Sequence, residues 1–171
     1  MRAHPGGEEH TRRMLALAAL PPGASVLDLG AGAGESVRLM REHGYDARGL
    51  DCEPRSPLVE QGDLLHAPFP DGSFDAVLSQ CAFFVSGDVP GALREAHRLL
   101  KPGGRLLLSD VEFAPLRPLL EAAGFGVLHE EDLTPLWRTY YLESLWRDEE
   151  PCRCEIPSGK CSYRLLIAER R

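Results

Sequence analysis

The stretch "VLDLGAGAGES", residues 26–36, constrains the fold more than any other part of the chain. A short apolar run enters a loop with glycine at positions 30, 32 and 34, and the helix-forming segment "ESVRLMREHG" follows at once. Alternating glycines permit a tight strand-to-helix turn and let a ligand come close to the backbone. The loop is therefore expected at the carboxyl end of a strand, opening a βα unit.

The rest of the chain repeats that alternation. Apolar periodicity predicts a helix over residues 11–20, stopped by Pro21, Pro22 and Gly23, and a first strand over residues 25–29. Further strands are predicted at 47–51, 60–64, 74–80, 105–111, 126–132 and 163–170, with helices at 35–44, 89–100 and 114–125. "KPGG", residues 101–104, reads as a stop ahead of the fifth strand, where Gly103 and Gly104 let the chain reverse. Strands alternating with helices imply right-handed crossovers, so the expected class is α/β: a mostly parallel sheet with helices on both faces. A chain of 171 residues, 43% hydrophobic, suits one domain over residues 1–171. Within it, residues 1–20 form an amino-terminal cover and residues 133–160 an insertion between the last two strands.

Charge narrows the partners. A formal net charge of -7 argues against nucleic acid, whose backbone is bound through clustered Lys and Arg. No apolar run approaches the roughly 20 residues that span a bilayer, so no membrane partner is expected. The opening "MRAHPGGEEHTRR" lacks the apolar core of a secretory signal, and five cysteines fit free thiols better than a disulfide framework. A cytoplasmic protein is the expectation.

Three ligand classes compete for the glycine loop. A triphosphate loop needs G-x-x-x-x-G-K-[ST], and no Lys follows the glycines. A dinucleotide loop wants Gly or Ala at position 35, but Glu35 stands there, at the helix start where a pyrophosphate would rest. Instead Asp28 precedes the loop, Glu35 follows it, and no Lys or Arg occurs from Val26 to Val37. That setting suits a ligand carrying a sulfonium and an ammonium group, and S-adenosylmethionine carries both.

Four further stretches stand in a telling order: "GLD" with Asp51, "QGDLL" with Asp63, "FDAVLSQ", and "REAHRLLKPGGRLLLSD". With the glycine loop they make the chain resemble the class I S-adenosylmethionine-dependent methyltransferases over about residues 22–128 and again at the last strand. The resemblance implies a Rossmann-like, doubly wound sheet whose last strand is antiparallel. It implies S-adenosylmethionine as cofactor and S-adenosylhomocysteine as product. Asp28, Gly30, Ala31 and Gly32 would line the cofactor, Asp51 would accept from the ribose hydroxyls, and Cys52 would pack on the adenine face as an apolar contact. Asp63 would bind the adenine amino group, with the Leu64 amide on the ring edge. Gln80 and Cys81 would neighbour the transferred methyl group. A Pro-Gly-Gly turn at Gly6 and Gly7 is a second contact for the methionine end, the alternative being a frayed terminus.

The acceptor is a small molecule on this reading. "SQCAFFVSGDVPGALREAHRLLKPGGRLLLSDV" locally resembles arsenite methyltransferases, which makes Cys81 the first candidate to face the substrate and a thiol or metalloid a candidate acceptor. His129 and Tyr140 are the candidates for a base. The insertion carries "TPLWRTYYLESLWR", a lid over an apolar substrate or aromatics packed on the sheet, packing being the favoured reading. It also carries Cys152, Cys154 and Cys161, which bind a metal or metalloid or are unrelated thiols; as a C-x-C-x6-C trio they fall short of a four-ligand zinc site. The competing functions are a non-catalytic cofactor- or metal-binding module that meets a protein partner through its Cys-rich loop, and a nucleotide-dependent oxidoreductase.

Overall fold

A computed structural model describes residues 4–146 and 161–171. Its centre is a seven-stranded sheet in the order β3-β2-β1-β4-β5-β7-β6. The strands are β1 (Ser25–Leu29), β2 (Asp46–Asp51), β3 (Val59–Gln61), β4 (Phe74–Gln80), β5 (Leu100–Glu112), β6 (Phe125–Asp132) and β7 (Ser162–Arg170). Strands β1 to β5 run parallel, and β7 lies antiparallel between β5 and β6. The chain steps from β1 to β2 on one side and returns to β4 on the other. The strand order therefore reverses between β1 and β4, where open α/β sheets hold ligands beyond the carboxyl ends of their strands.

Among the described residues, five helices cover the sheet: α1 (Gly7–Ala18), α2 (Glu35–Glu42), α3 (Val89–Leu99), α4 (Leu116–Ala122) and α5 (Thr134–Trp146). Successive strand residues point to opposite faces, so the apolar runs feed two cores. Leu27, Leu29, Leu106, Leu108 and Leu166 pack with α3 and α4, whereas Val26, Leu78, Leu107, Leu165 and Ile167 pack with α1, α2 and α5. Asp88 caps α3, its Oδ1 accepting from the Gly91 amide at 2.8 Å, with Pro90 in the first turn where its missing N–H costs nothing.

The structure differs from expectation at several places, β3 for one covering Val59–Gln61 rather than residues 60–64. Helix α1 begins at Gly7 and stops at Ala18, because His10 and Thr11 are themselves buried and belong to its packed face. "KPGG" lies inside β5: the register jumps so that Phe74 pairs with Leu100 and Ala76 with Arg105, which leaves the extra residues as a bulge. Residues 134–146 form a helix, and Trp137, only 3% exposed, packs beside Met14, Leu133 and Tyr163. Truncating an aromatic buried like this costs about 3–5 kcal/mol, a scale that holds α5 on the sheet. Among the described residues no helix is long and apolar enough to cross a membrane.

Candidate functional site

A cleft of about 620 Å³ opens at the carboxyl edge of the parallel strands. Of the residues read as cofactor contacts, Asp28, Gly30, Ala31, Gly32, Asp51, Cys52, Asp63, Leu64 and Gln80 all line it, as does Cys81. Their convergence follows from topology. Residues that end adjacent parallel strands share one edge, whatever their separation in the chain.

The glycine loop hangs from β2: the amides of Gly30 and Ala31 both donate to the Leu50 carbonyl, at 2.8 and 3.1 Å. Gly30 has φ +86°, and a Cβ built on it would lie 2.1 Å from the Cβ of Ala82, in the turn after β4. Only glycine fits this crossing. At the end of β2, Asp51 accepts from the Gly32 amide through Oδ2 at 2.8 Å and from the Glu53 amide through Oδ1 at 2.9 Å. Each oxygen keeps a second lone pair for a ligand hydroxyl. Asp63 accepts from the Leu65 amide at 2.8 Å and pairs with His66 at 3.1 Å. The Leu65 amide, followed by His66, holds its carboxyl below the usual range.

Asp28 is a different case. It is 4% exposed, and burial first, then the charge of Asp51, raise its carboxyl to about 7. The folded chain thus holds a proton that the unfolded chain has lost, so the Asp28 contribution to stability declines as pH rises from about 4 to 7. His10 works in the opposite sense. Burial first, then the neighbouring charges of His4 and Arg13, lower it to about 4, against the pull of Glu131. Its contribution declines as pH falls from 6.5 towards 4, because the unfolded chain then takes up a proton that the fold refuses.

A buried polar cluster roofs the cleft at the β4 end. The Gln80 carboxamide oxygen accepts from Thr11 at 3.2 Å and from Ser36 at 3.1 Å, and its nitrogen lies 3.4 Å from His4 Nδ1. His4 Nε2 lies 3.4 Å from the Thr11 hydroxyl. Burial lowers the His4 pKa, outweighing the Pro5 carbonyl and Glu35, which favours the neutral imidazole. Cys81 follows Gln80 with φ +59°, a left-handed conformation that costs a non-glycine residue about 1–2 kcal/mol. The Cys81 amide donates to the Ser109 carbonyl at 2.9 Å. Its sulfur lies 3.3 Å from the Tyr163 phenol oxygen, which is itself 2.9 Å from Ser109 Oγ. Burial and then the Cys81 charge raise the Tyr163 pKa well above 10, so the phenol stays protonated and has one hydrogen to share along this chain.

Five described sequence candidates fall outside the cleft lining, and two more fall outside the described residues. Gly6 and Gly7 start α1 instead; a Cβ on Gly6 would meet His10 and Leu136, so that turn faces α5, and the segment reaches the cleft through His4. His129 sits on the edge strand β6, three strands from β4, with Nε2 3.6 Å from Glu131. Tyr140 lies half-buried on α5. Cys152 and Cys154 lie outside the described residues; Cys161, just before β7, packs half-buried against the α1, α2 and α5 core. The lining also includes His4, Glu35, Ser36, Arg55, Val85 and Ser86. Arg55 had no local signal; its amide donates to the Gly32 carbonyl at 3.0 Å, which swings its guanidinium over the glycine loop.

Comparison with known proteins places this geometry. A family profile described as "Methyltransferase domain" matches residues 27–108. The chain is 32% identical over 120 residues to malonyl-[acyl-carrier protein] O-methyltransferase of Serratia marcescens, covering 64% of this chain and 47% of that protein. It is 33% identical over 118 residues to arsenite methyltransferase of Aquipseudomonas alcaligenes, covering 54% of this chain and 34% of that one. The chain thus spans about half or less of the length of these curated relatives. Among solved structures, the [4+2]-cyclase SpnF superposes with a TM-score of 0.76 at 20% identity, over 98% of this chain and 84% of that one. At that identity the likeness shows the fold alone, and a cyclase on the same scaffold is a reminder that a fold does not name a reaction.

Proposed function

Because this chain belongs to the class I S-adenosylmethionine-dependent methyltransferases, we propose that it binds S-adenosylmethionine in the cleft between β1 and β4. The reaction proposed is methyl transfer to a small-molecule acceptor, with release of S-adenosylhomocysteine. The observation that carries this reading is the cleft itself. Asp28, Asp51 and Asp63, from three separate strand ends, converge on a glycine loop too close to Ala82 to carry a side chain.

When bound, the cofactor supplies an electrophilic methyl group and leaves as a neutral thioether. The residues would divide the remaining work. Asp51 offers free lone pairs to vicinal hydroxyls, Cys52 and Leu64 offer apolar surface to a base, and Asp63 accepts from an exocyclic amine. The acidic wall favours the cationic reactant over the neutral thioether. Cys81, rigidly turned out of β4, faces the acceptor. A thiol sulfur or a metalloid is the acceptor atom proposed on that ground, and where the acceptor carries a proton, the neutral His4 is the base the cleft offers.

Calorimetric titration of the reduced protein tests the reading. Micromolar binding of S-adenosylmethionine with none of NAD is expected, and the reverse would overturn it. Methyl transfer to small thiols and to arsenite then tests the acceptor. N-ethylmaleimide labelling, mapped by mass spectrometry, should slow severalfold at Cys81 and Cys52 when S-adenosylhomocysteine is present, with Cys161 unchanged. Undiminished labelling of Cys81 would remove it from the site.

Asp28 makes the binding pH-dependent. A cation beside it favours the ionised carboxylate, so binding below about pH 7 releases a proton. Affinity should rise with pH up to about 7, by at most about tenfold per unit, and then flatten. Titrations in two buffers of different ionisation enthalpy at pH 6.5 measure the proton, and Asp28→Asn should abolish it. Equal heats in both buffers for the unaltered protein would show that Asp28 does not change charge on binding.

A further inference from the structure

The cleft is divided in charge along the line where the strand order reverses. The carboxyl and guanidinium side chains of its lining, namely Asp28, Glu35, Asp51, Arg55 and Asp63, all come from the segment from β1 to the turn after β3, and His4 is the further titratable nitrogen base in it. The lining beyond β4 consists of Gln80, Cys81, Ala82, Val85 and Ser86, and none of these bears a charge other than the Cys81 thiol when ionised. A charged acceptor arriving on that side would lose its water and find, among the described residues of this lining, no permanent counter-ion, with the buried His4 imidazole beside Gln80 as the nearest titratable group, which is costly in a partly enclosed site.

The same side carries apolar surface that the fold leaves in water. Val85 and Phe113 are each 50% exposed. The Phe84 and Phe113 rings lie 5.0 Å apart between centroids and inclined by 37°. These side chains are held in place. Asp110, 1% exposed at the end of β5, accepts from the Phe84 amide at 3.0 Å and from the Val111 amide at 2.8 Å. The turn is closed by Ser86, whose hydroxyl donates to the Phe83 carbonyl at 2.6 Å, while Phe83 itself is fully buried beneath. Val85 lines the cleft, and its chain neighbour Phe84 carries the ring pair with Phe113; apolar surface beside a cleft is how pockets recognise the carbon skeleton of a ligand, with few polar groups to orient it.

Resting on the methyltransferase reading above, and favouring an organic acceptor over the metalloid, we propose that the acceptor has an uncharged, apolar body of aromatic or unsaturated hydrocarbon character. That body packs on Val85, Phe84 and Phe113 and brings its nucleophilic atom to Cys81. Acceptors built around a phosphate or carboxylate are excluded by the same lining.

The test uses the full chain saturated with S-adenosylhomocysteine, titrated with 2-naphthol and with 2-naphthyl phosphate and followed by ligand fluorescence. The naphthol should bind about tenfold or more tightly than the phosphate, the scale of desolvating an unpaired charge. Val85→Asp and Phe113→Ala should each weaken naphthol binding severalfold; both positions are half exposed, so folding is little affected. Phe113→Ala should leave the S-adenosylhomocysteine affinity as it was. Equal or tighter binding of the phosphate, or naphthol binding indifferent to both substitutions, overturns the acceptor proposal alone. Failure to bind S-adenosylhomocysteine overturns the methyltransferase reading and the proposal with it.

Discussion

Asp51→Ala is expected to weaken S-adenosylmethionine binding by about a hundredfold or more. A hydrogen bond to a charged group is worth about 1.5–3 kcal/mol, so losing two ribose hydroxyl bonds removes about 3 kcal/mol, and each 1.4 kcal/mol is tenfold. The carboxylate has a second duty, since it holds the amides of Gly32 and Glu53 before any ligand arrives. Its loss therefore slackens the glycine loop as well as the ribose site. Asp51→Asn separates the two. An amide keeps the shape and one acceptor oxygen, so an intermediate affinity is expected. A third readout follows from Asp28, whose pKa is raised in part by Asp51. In Asp51→Ala that carboxyl should titrate lower, moving the pH-dependent part of the stability curve in the same direction. Calorimetry that finds Asp51→Ala within about threefold of the unaltered protein, or under 1 kcal/mol, would show that the cofactor is held elsewhere.

Gly30→Ala should lower the melting temperature by about 10 °C, corresponding to roughly 3–5 kcal/mol in a chain of this size. Two costs combine. An L-residue at φ +86° is strained, and the new Cβ would overlap that of Ala82, 2.1 Å away. Neither wall yields easily. The loop is tied to Leu50 by two amides, and the turn bearing Ala82 is pinned through Phe84 to Asp110. Ala82→Gly in the same chain removes the overlap but not the strain, so it should restore about half of the loss. A thermal melt of Gly30→Ala unchanged within about 2 °C would mean that the two loops do not cross as closely as described.

These two positions also show where local reasoning succeeds. Strands β1 and β4 fall on the predicted residues because each is a short apolar run, buried on both faces, with turn chemistry at its ends, a local signal that needs no partner to be recognised. Once a parallel sheet is inferred, the handedness of the crossovers brings the ends of β1, β2 and β4 to one edge. Asp28, Asp51 and Gln80 are then neighbours by topology, although 52 residues separate the first from the last. That the residues named from the family resemblance line one cleft is thus a consequence of strand ends and topology that the sequence already carries.

The rest of the cleft depends on contacts with no local signature. His4 is buried because Gln80, 76 residues away, and Thr11 receive it, and nothing in "HPGG" distinguishes that from a loose end. Arg55 enters the cleft only because its amide docks on Gly32. His129 and Tyr140 carry the right chemistry, but the placement of β7 between β5 and β6 puts His129 on the edge strand, Tyr140 lies on α5, and neither lines the cleft. Phe84 and Phe113 meet because a buried carboxylate, Asp110, ties two turns together. Periodicity and one handedness rule encode the scaffold and the strand ends. Which side chains from distant turns share a surface is decided by packing, since only the folded chain determines which of the many apolar and polar groups exclude water together.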